Sequence, residues 1–433
     1  MENILAQAKR VAEEADIYML YSEETPVEFE ANRLKSIQSK QSSSIALRII
    51  KDGKIGYANT TEISDGDRLV DMALETAQFG TPAKFTFLSS RDYPEVEVID
   101  PEVESISIEY MIKLGEELVD AVRTHTHDIV CEAGITKGVI SVRVMNSREG
   151  EASYRKSIFG LGISGTLIRG TDMLFVGESR SSCHPIRSTR EITDEVINQL
   201  ELAKNQASIA SKQMPVIFTP NGAAHAIIPP LMAALNGKTV MEGASPIGNK
   251  LGRQVFDEKL SIWDDPTIAY NTRSRPCDDE GVPSQRTPLI TDGTIASFFY
   301  DLQTAARAQT QSTGNGNRGA GGLLSPAPSA FIIAPGDATF NEMVEDIKEG
   351  LIIEQVMGAA QGNVLGGDFS GNVLLGYKVE NGKIAGRVKN TMVSGNVYQA
   401  LKQINAIGSE AKWVGGMINM PPIYCPSLAV ASK

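Results

Sequence analysis

Histidine is the side chain best suited to bind a metal ion or to move a proton near neutral pH. The chain has four histidines, and only His225 lies in its second half. A zinc peptidase needs imidazoles and a third ligand around the ion, usually with a carboxylate beside the first histidine to activate water. Here Ala226 follows His225, and Pro229 and Pro230 stand four and five residues after it. This spacing favours a structural histidine at the edge of a helix and leaves His225 as a weak metal-ligand candidate.

The other three histidines lie in two short segments. His125 and His127 belong to THTHD, where an extended chain would place both on one face beside Asp128, as two ligands might be. The segment also follows a predicted helix, and a histidine at a helix C-terminus interacts favourably with the last carbonyls. His184 directly follows Cys183, so the two side chains would point to opposite faces of a strand. A structural role is predicted for each of these segments.

The candidate nucleophiles form no catalytic pattern. The sequence has no GxSxG segment, which would mark the nucleophile of an α/β-hydrolase. The cysteines are Cys131, Cys183, Cys277 and Cys425, far apart and without a CxxC pair. This spacing predicts reduced structural thiols, and neither a disulfide framework nor a zinc knuckle. Cys425, in IYCPS, is expected to be buried.

A glycine-rich stretch, GNGNRGAGG at residues 314–322, could offer hydrogen-bond donors to a ligand. It lacks the GK[ST] ending of a phosphate-binding P-loop. Its glycines allow close approach of a backbone, and its amide and guanidinium groups can donate to a carbonyl or a carboxylate. We therefore predict that Asn315, Asn317, Arg318 and Gly319 bind a peptide substrate. The alternative is a flexible surface loop, because long polar glycine-rich loops are either functional or disordered.

A run of three acids, Asp278, Asp279 and Glu280, follows Arg273 and Arg275. Adjacent carboxylates could bind a cation. The run lacks the spaced oxygen ligands of a calcium-binding loop, so the sequence predicts a solvated turn.

The first half of the chain has the pattern of helices that flank strands. Apolar residues recur at helical spacing near the start, alternation begins near Ile17, and Asp52-Gly53 between two alternating runs predicts a hairpin. A helix over residues 65–79 follows, and its inward residues are predicted to be Leu69, Met72, Ala73 and Ala77. The order then recurs, with a helix near 107–124, strands over 134–176 and a helix over 192–210. Such an order is typical of a degenerate internal duplication.

The second half has a different composition. Around residues 207–215 a polar helix end gives way to the apolar VIF, which predicts a domain boundary. Beyond it, frequent glycine and proline and short alternating runs indicate many strands, with hairpin turns at Asp292-Gly293 and Asn381-Gly382. We therefore predict an α+β fold. An N-terminal α+β domain at 1–213, with an antiparallel or mixed sheet and flanking helices, precedes a β-rich C-terminal domain at 214–433.

Charge and hydropathy limit the partners of the protein. The chain has 53 acidic and 41 basic residues, a net charge of -12, which disfavours direct binding to nucleic acid. The most apolar long window, from Met214 to Leu235, is broken by prolines, so no membrane span is predicted. The first residues lack the apolar stretch of a secretory signal, which predicts a cytoplasmic protein.

Several segments resemble, in order, the TldD/PmbA family, which is also called modulator of DNA gyrase. In the second half these segments are YNTRSRPCDDEGVPSQRTPLITDGTIASFFYDLQTAARA, NGNRGAGGLLSPAPSAFII, GDFSGNVLLGYKVENGK and VKNTMVSGN. In the first half the likeness includes SIQSKQSSSIALRIIKDGKIGYANTT, so it covers nearly the whole chain. The resemblance implies an N-terminal α+β domain, a β-rich C-terminal domain, dimeric assembly and a role in proteolysis of peptides or unfolded proteins.

The family that the chain resembles has two branches. TldD-like members carry HExxxH and a C-terminal cysteine that together bind zinc, while PmbA-like (TldE) members lack them and act as partner subunits. The resemblance places His225 on the first histidine, Ala226 on the glutamate and Pro230 on the second histidine. Cys425 falls beyond the position of the metal-binding cysteine. The sequence therefore resembles the PmbA branch.

The leading hypothesis is a non-catalytic, substrate-handling subunit of a TldD/TldE-type metallopeptidase assembly, with no metal or cofactor of its own. Its partner would be a TldD-like metallopeptidase subunit or a second copy in a homodimer, and its substrate a peptide or an unfolded protein. Two alternatives stay open. One is a metallopeptidase with a non-standard metal site at His225 and distant acids, and the other is an interaction protein that modulates DNA gyrase.

Overall fold

The computed structural model describes residues 1–62, 65–319 and 322–432. Residues 320 and 321 of the glycine-rich stretch, and residue 433 of the predicted second domain, lie outside the described residues. We call α1–α5 with β1–β7 the N-terminal unit. Its helices are α1 (Glu2–Val11), α2 (Gly66–Ala77), α3 (Pro101–Ser105), α4 (Ile108–His125) and α5 (Arg190–Leu202). Its strands are β1 (Glu14–Glu30), β2 (Arg33–Ile37), β3 (Lys40–Lys51), β4 (Lys54–Thr60), β5 (Val130–Asn146), β6 (Glu151–Arg169) and β7 (Asp172–Ser182).

The strands of the N-terminal unit form one seven-stranded antiparallel sheet in the order β4-β3-β1-β5-β6-β7, with β2 paired to the end of β1. The predicted hairpin at Asp52-Gly53 is confirmed, and both residues have the positive φ (50° and 68°) that such a turn requires. The order is symmetric about the central pair β1–β5, so that α1-β1-β3-β4-α2 corresponds to α4-β5-β6-β7-α5. An internal duplication would produce this symmetry.

The helices of the N-terminal unit pack in pairs, α1 against α2 and α4 against α5. In α2 the buried residues include Leu69, Val70 and Ala73, whereas Met72 is 38% exposed. The prediction of an inward Met72 was therefore wrong. The buried stripe turns toward Val70 because α2 packs against α1 as well as against the sheet.

Side chains from helices form hydrogen bonds with backbone groups on both outer strands of this sheet. On β4, the Thr76 hydroxyl of α2 accepts from the Tyr57 N–H at 2.9 Å and lies 2.8 Å from the Tyr57 carbonyl oxygen. On β7, the Gln199 amide of α5 accepts from the Gly177 N–H at 2.9 Å and donates to its carbonyl at 3.2 Å. Open edges invite pairing with other chains, so these bonds protect the sheet. The bonds also give α2 and α5 equivalent positions at the two edges, as the symmetry of the sheet requires.

We call the elements from β8 to β22 the C-terminal unit. Its helices are α6 (Pro220–Ala226), α7 (Ile228–Leu235), α8 (Gly237–Met241), α9 (Leu302–Arg307), α10 (Phe340–Glu345) and α11 (Val397–Ala400). Its strands are β8 (Lys212–Phe218), β9 (Ile262–Asp264), β10 (Thr287–Thr291), β11 (Thr294–Ile295), β12 (Gly316–Arg318), β13 (Leu324–Pro326), β14 (Phe331–Ile333), β15 (Glu349–Met357), β16 (Asp368–Glu380), β17 (Lys383–Arg387), β18 (Thr391–Asn396), β19 (Ala406–Ile407), β20 (Lys412–Val414), β21 (Ile418–Met420) and β22 (Ile423–Ser432). Among the residues that the structure describes, no helix is long and apolar enough to cross a membrane.

The C-terminal unit contains two large sheets. The first has the order β15-β8-β22-β18-β16-β17, and a further pairing of β15 with β16 closes it on itself. The second has the order β11-β10-β9-β14-β21-β20, and β12 and β13 form a separate hairpin. The hairpins at Asp292-Gly293 and Asn381-Gly382 are confirmed, with positive φ at all four residues. The predicted α+β class and the β-rich second half are therefore confirmed.

One hydrophobic core belongs to both units. Leu118 of α4 and Val196 of α5 pack in the same cluster as Ile352, Tyr377 and Tyr424 from the closed sheet of the C-terminal unit. Each of these five side chains is at most 3% exposed. The closed sheet thus serves as a packing surface for the helices of the N-terminal unit.

The chain between the units is held by a strand of the C-terminal unit. The helix predicted over residues 192–210 ends at Leu202, because Asn205 and Ala207 exchange backbone hydrogen bonds with Arg387 at 2.8 Å each. The predicted domain boundary between residues 213 and 214 falls inside β8. That boundary stays a prediction.

Candidate functional site

The three acids predicted to form a solvated turn are buried where the two units meet. Asp278, Asp279 and Glu280 are at most 5% exposed. The Asp278 carboxylate accepts the N–H groups of Glu280 and Val282 at 2.9 Å each, and that of Gly316 at 2.8 Å. The prediction was wrong because the loop folds around its own carboxylate, and backbone N–H groups replace the water that a buried acid would lose.

Glu280 connects this loop to the sheet of the N-terminal unit. Its Oε1 accepts from Arg48 Nη1 at 2.5 Å, and its Oε2 accepts from the Leu302 N–H at 2.7 Å. Arg48 also donates two bonds of 3.0 Å to Asp16, its neighbour across strands β3 and β1. The Arg48, Asp16 and Glu280 side chains are at most 1% exposed. The guanidinium therefore bridges one acid from each unit.

Aromatic rings and further charges complete this cluster. The centroids of the Phe85 and Phe87 rings each lie 4.7 Å from the Arg48 guanidinium carbon, which keeps water away from it. Arg275 donates to Asp279 at 2.8 Å. We give the name interface network to eight of the buried charged side chains, which are Asp16, Arg48, Arg275, Asp278, Asp279, Glu280, Asp301 and Arg318.

Burial sets the protonation of the acids in the interface network. It raises the pKa of Glu280 to about 8, with Asp301 and Asp278 raising it further and Arg48 opposing the shift. Burial also raises the pKa of Asp278 to about 6, although Arg275 and three backbone N–H groups favour the carboxylate. The cause is in both cases the loss of water around a charge.

Two residues predicted to bind substrate form hydrogen bonds within the protein in this structure. Arg318 donates to Asp16 at 2.5 Å, and its backbone N–H donates to Asp279 at 2.8 Å. Asn315 donates to the buried carboxylate of Asp264 at 2.8 Å and to the Ala327 carbonyl at 3.0 Å. Their donors therefore serve the protein's own acceptors, and a substrate would have to compete with them.

The other two predicted substrate-binding residues are more accessible. Asn317 pairs with Ser325 across the hairpin β12–β13 and is half-buried, and its side chain makes no hydrogen bond within the described chain. Gly319 is exposed and donates its N–H to the Leu323 carbonyl at 3.0 Å. The prediction that this stretch binds a peptide stays a prediction, and Asn317 is the donor best placed to test it.

His225 lies in the last turn of α6 and is exposed. Thr219 caps the start of α6 by accepting from the Gly222 N–H at 3.3 Å. His225 Nδ1 lies 2.8 Å from the Asn221 carbonyl oxygen, which can only accept, so Nδ1 carries a hydrogen. The helix-edge position predicted for His225 is confirmed.

A buried acid contacts Asn221, the residue one helical turn before His225. Glu354 on β15 is 7% exposed, and its Oε1 accepts from Asn221 Nδ2 at 3.1 Å. Burial raises the pKa of Glu354 to about 7, an effect that Glu195 adds to and Asn221 opposes. Nearby, Lys412 of the C-terminal unit pairs with Glu195 of α5 at 2.6 Å. Charged contacts therefore join the units here as well.

The remaining histidines have structural partners or lie in a turn. His125 is the last residue of α4, as predicted, and its ring lies 2.5 Å from Glu201. His184 Nδ1 lies 2.6 Å from the carboxylate of Asp100. His127 is exposed in the turn after α4. The structure does not bring these three rings to His225 in any group suited to a metal within the described residues.

Comparison with known proteins identifies the family. Residues 211–432 match the model of the PmbA/TldA metallopeptidase C-terminal domain, and residues 15–77 match that of PmbA/TldA metallopeptidase domain 1. The chain belongs to the PmbA/TldD family. It is 27% identical over 380 residues to an uncharacterised protein of Methanocaldococcus jannaschii, and the matched region covers 86% of each chain.

Other members of the PmbA/TldD family share its fold and much of its length. The chain is 23% identical over 355 residues to the metalloprotease PmbA of Escherichia coli O157:H7, covering 78% of this chain and 74% of that one. The crystal structure of TldE from Thermococcus kodakarensis superposes with a TM-score of 0.92 at 21% identity and covers 100% of both chains. The fold of this chain is therefore the fold of TldE.

The residues of this chain do not fit the zinc site that the family resemblance implies. Ala226 is fully buried in the apolar core and has no ligand atom in its side chain. Pro230 lies in α7, where its carbonyl accepts from Tyr398 at 3.3 Å. Cys425 is fully buried in β22, and burial raises the pKa of its thiol to about 12. In the described part of the chain, no group of three or more His, Cys, Asp or Glu side chains could hold a metal ion.

Sequence reasoning missed Asp16 and Arg48, the two charged residues of the N-terminal sheet in the interface network. A signal was present. Asp16 stands directly before the apolar IYML, and Arg48 lies within IALRII. Burying a charge in such a strand costs free energy unless the charge is paired. Each lies on the sheet face opposite its apolar neighbours Ile17 and Leu47, so the pairing could be suspected but not its partner Glu280.

Proposed function

We propose that this chain is a non-catalytic, substrate-handling subunit of a TldD/TldE-type metallopeptidase assembly that acts on peptides or unfolded proteins. Its partner in this proposal is a TldD-like subunit that supplies the zinc site. A second copy of this chain is the alternative partner.

The observation that carries the proposal is the environment of α6 and α7. Of the three positions that the resemblance aligns with HExxxH, only His225 keeps a ligand atom, and Ala226 and Pro230 pack into the protein interior. Restoring a glutamate at 226 would bury a charge among apolar side chains, which is costly without a partner. The packing therefore supports a chain specialised for something other than zinc-dependent hydrolysis.

The proposed substrate-handling surface includes the hairpin β12–β13, with Asn315, Asn317, Arg318 and Gly319 as the residues that would contact a peptide. Arg318 and Asn315 have internal partners, so their replacement would alter stability as well as binding. The Asn317 side chain makes no hydrogen bond to the residues that the structure describes, so Asn317 gives the cleaner test. An extended peptide could accept its amide hydrogen bond through a main-chain carbonyl.

The first experiment is co-purification from the native cell, followed by mass spectrometry and metal analysis. Recovery of a chain that bears HExxxH, together with zinc in the complex but not in this chain alone, is the expected result. Stoichiometric zinc in this chain alone, lost on His225→Ala, would instead support a metallopeptidase in its own right. Retention of DNA gyrase without any peptidase partner would support the gyrase-modulating alternative.

The second experiment measures peptide cleavage by the reconstituted complex. Asn317→Ala should raise the KM for peptides several-fold with little change in kcat, because it removes one hydrogen bond worth about 1 kcal/mol. Asn249→Ala, at an exposed residue without hydrogen-bond partners in the described chain, is the matched control. Unchanged cleavage of every tested peptide by the Asn317 variant would count against a substrate-handling role for the hairpin.

A further inference from the structure

Both tryptophans of the chain lie on one face of the second sheet of the C-terminal unit. Trp263 on β9 pairs with Pro288 on β10 and with Ile332 on β14. Ile332 pairs with Asn419 on β21, which pairs with Trp413 on β20. Residues directly opposite each other on neighbouring strands share a face of the sheet. These five side chains therefore form one row across the sheet, which we name the tryptophan row.

The tryptophan row faces away from the interior of the C-terminal unit. Side chains alternate along a strand, so the residues next to the row point to the other face. Three of these neighbours belong to the hydrophobic core, namely Ile262, Phe331 and Ile418. In the row itself Ile332 is buried, Asn419 and both tryptophans are half-buried, and Pro288 is exposed. The row is thus an outer surface that a further molecule can cover.

The polar groups of the tryptophan row are available to such a molecule. The indole N–H groups of Trp263 and Trp413 and the amide of Asn419 make no hydrogen bond to the residues that the structure describes. None of these groups is sealed from solvent within the described chain. An indole N–H can only donate, and an amide donates through its nitrogen. The row therefore presents hydrogen-bond donors that suit the main-chain carbonyls of a ligand.

Two arginines bring positive charge to the tryptophan row. The guanidinium carbon of Arg286 lies 4.2 Å from the centroid of the Trp263 ring, and Arg273 Nη2 lies 3.8 Å from the sulfur of Met417, which directly precedes β21. Both arginines are exposed, and neither has a carboxylate partner among the described residues. The acid two residues after Trp263 is Asp265, whose carboxylate already accepts two hydrogen bonds from one residue of its own loop. The charge near the row therefore complements an acidic ligand.

The spacing of the two tryptophans indicates the length of a ligand that reaches both. Trp263 and Trp413 are three strands apart, which is roughly 14 Å at ~4.8 Å per strand. A polyproline II segment rises ~3.1 Å per residue, so about four or five residues span this distance. Such a segment has no internal hydrogen bonds, and its carbonyls are free to accept. Proline-rich segments of this kind bind surfaces lined by aromatic rings.

We propose that the tryptophan row is a docking site for an acidic, proline-containing segment of a polypeptide. Proline rings of the segment pack against Trp413, its carbonyls accept from the indole and amide donors, and its carboxylates pair with Arg286 and Arg273. Arg286 can stack on Trp263 and bind a carboxylate at once, because its N–H groups lie in the plane of the guanidinium. Bases of a single-stranded nucleic acid also stack on tryptophan, but the net charge of -12 repels a polyanion.

Tryptophan fluorescence of the full-length chain tests the docking site, because both tryptophans belong to the row. The probe is a decapeptide of alternating proline and glutamate with blocked ends. The control ligands are the same peptide with glutamine in place of glutamate, the same peptide with glycine in place of proline, and an oligothymidylate of equal length. The proline–glutamate peptide should change the emission saturably below about 1 mM. Each control ligand should bind at least about tenfold more weakly.

Variants of the full-length chain assign the contacts. Arg286→Gln should weaken binding of the proline–glutamate peptide about tenfold, because it removes a charge-assisted hydrogen bond, and should not alter binding of the proline–glutamine peptide. Trp413→Ala should weaken binding of both proline peptides about fivefold, with Trp263 as the remaining reporter. Arg10→Gln is the matched control, because Arg10 of α1 is exposed and has no carboxylate partner among the described residues. It should bind as the native protein does.

Four results would overturn the docking site. They are the absence of any saturable change with the proline–glutamate peptide, equal affinity for the proline–glutamine or glycine–glutamate peptide, equal affinities of the Arg286→Gln and Arg10→Gln variants, and tighter binding of the oligothymidylate. If Trp413→Ala does not fold, the Arg286→Gln variant and the four ligands still decide. No partner subunit or cleavage assay enters the titration, so its result is independent of the proposed subunit role.

Discussion

At the scale of a single residue, Arg48 shows how one buried side chain can bind two acids at once. Its guanidinium serves Asp16 through two bonds and Glu280 through a third, and none of the three is more than 1% exposed. Removing one partner of a buried ion pair is far more costly than removing an exposed one, because the remaining charge has no water to replace it.

Arg48→Met should therefore lower the free energy of unfolding by about 3–5 kcal/mol. Arg143→Met is the matched control, because Arg143 also contacts two acids, Glu2 and Glu151, but is 37% exposed and should lose less than about 1 kcal/mol. Urea denaturation of both variants measures the difference. Equal losses would mean that the interface network contributes no more than surface pairs do.

Glu354 gives a second prediction at this scale, for the pH dependence of stability. Burial raises its pKa to about 7 in the folded protein, against 4.5 in the unfolded chain. The folded state then binds more protons between these values, so the contribution of Glu354 to stability is full below about pH 4.5 and is lost as pH rises through about 7.

Glu354→Gln should remove that part of the pH dependence and stabilise the protein at about pH 8, by roughly 3 kcal/mol at most. The glutamine keeps an oxygen that accepts the bond from Asn221. Denaturation of the native protein and of the variant at several pH values gives the two slopes. A variant that is less stable than the native protein at about pH 8 would contradict the assigned direction.

The secondary-structure elements were largely predictable where the chain carries its own local signal. Each of the three hairpins with Asp-Gly or Asn-Gly turns is present, because the turn needs residues that tolerate positive φ. The burial of Asp278 and Glu280 was not predictable. It depends on Gly316 and Arg48, which lie 38 and 232 residues away, and no local pattern reports such distant partners.

The edge bonds of the seven-stranded sheet give a prediction at the scale of an element. Thr76→Val keeps the shape of the side chain but removes the hydroxyl that contacts the N–H and carbonyl of Tyr57. The loss should be about 0.5–1.5 kcal/mol, the net contribution of a hydrogen bond, because these bonds are exposed and water can reach the backbone groups. Hydrogen exchange of the Tyr57 amide should be faster in the variant, while the central strand β1 serves as the internal control. Unchanged exchange at Tyr57 would show that this edge is not held by α2.

At the scale of the whole molecule, the two units should unfold together. Their shared core places Leu118 and Val196 of the N-terminal unit against Tyr377 of the C-terminal unit, and the interface network joins them at a second place. Both tryptophans, Trp263 and Trp413, lie in the C-terminal unit. Their fluorescence therefore reports on that unit alone.

Leu118→Ala tests this coupling, because Leu118 is fully buried in α4 and its truncation should cost about 2–5 kcal/mol. If the units unfold as one, tryptophan fluorescence and far-UV circular dichroism should report the same lowered midpoint, although the change lies in the other unit. Leu5→Ala, in the separate cluster between α1 and α2, extends the test to a part of the N-terminal unit that does not touch the shared core. A tryptophan transition that stays at the native midpoint in the Leu118 variant would mean that the shared core and the interface network do not couple the units.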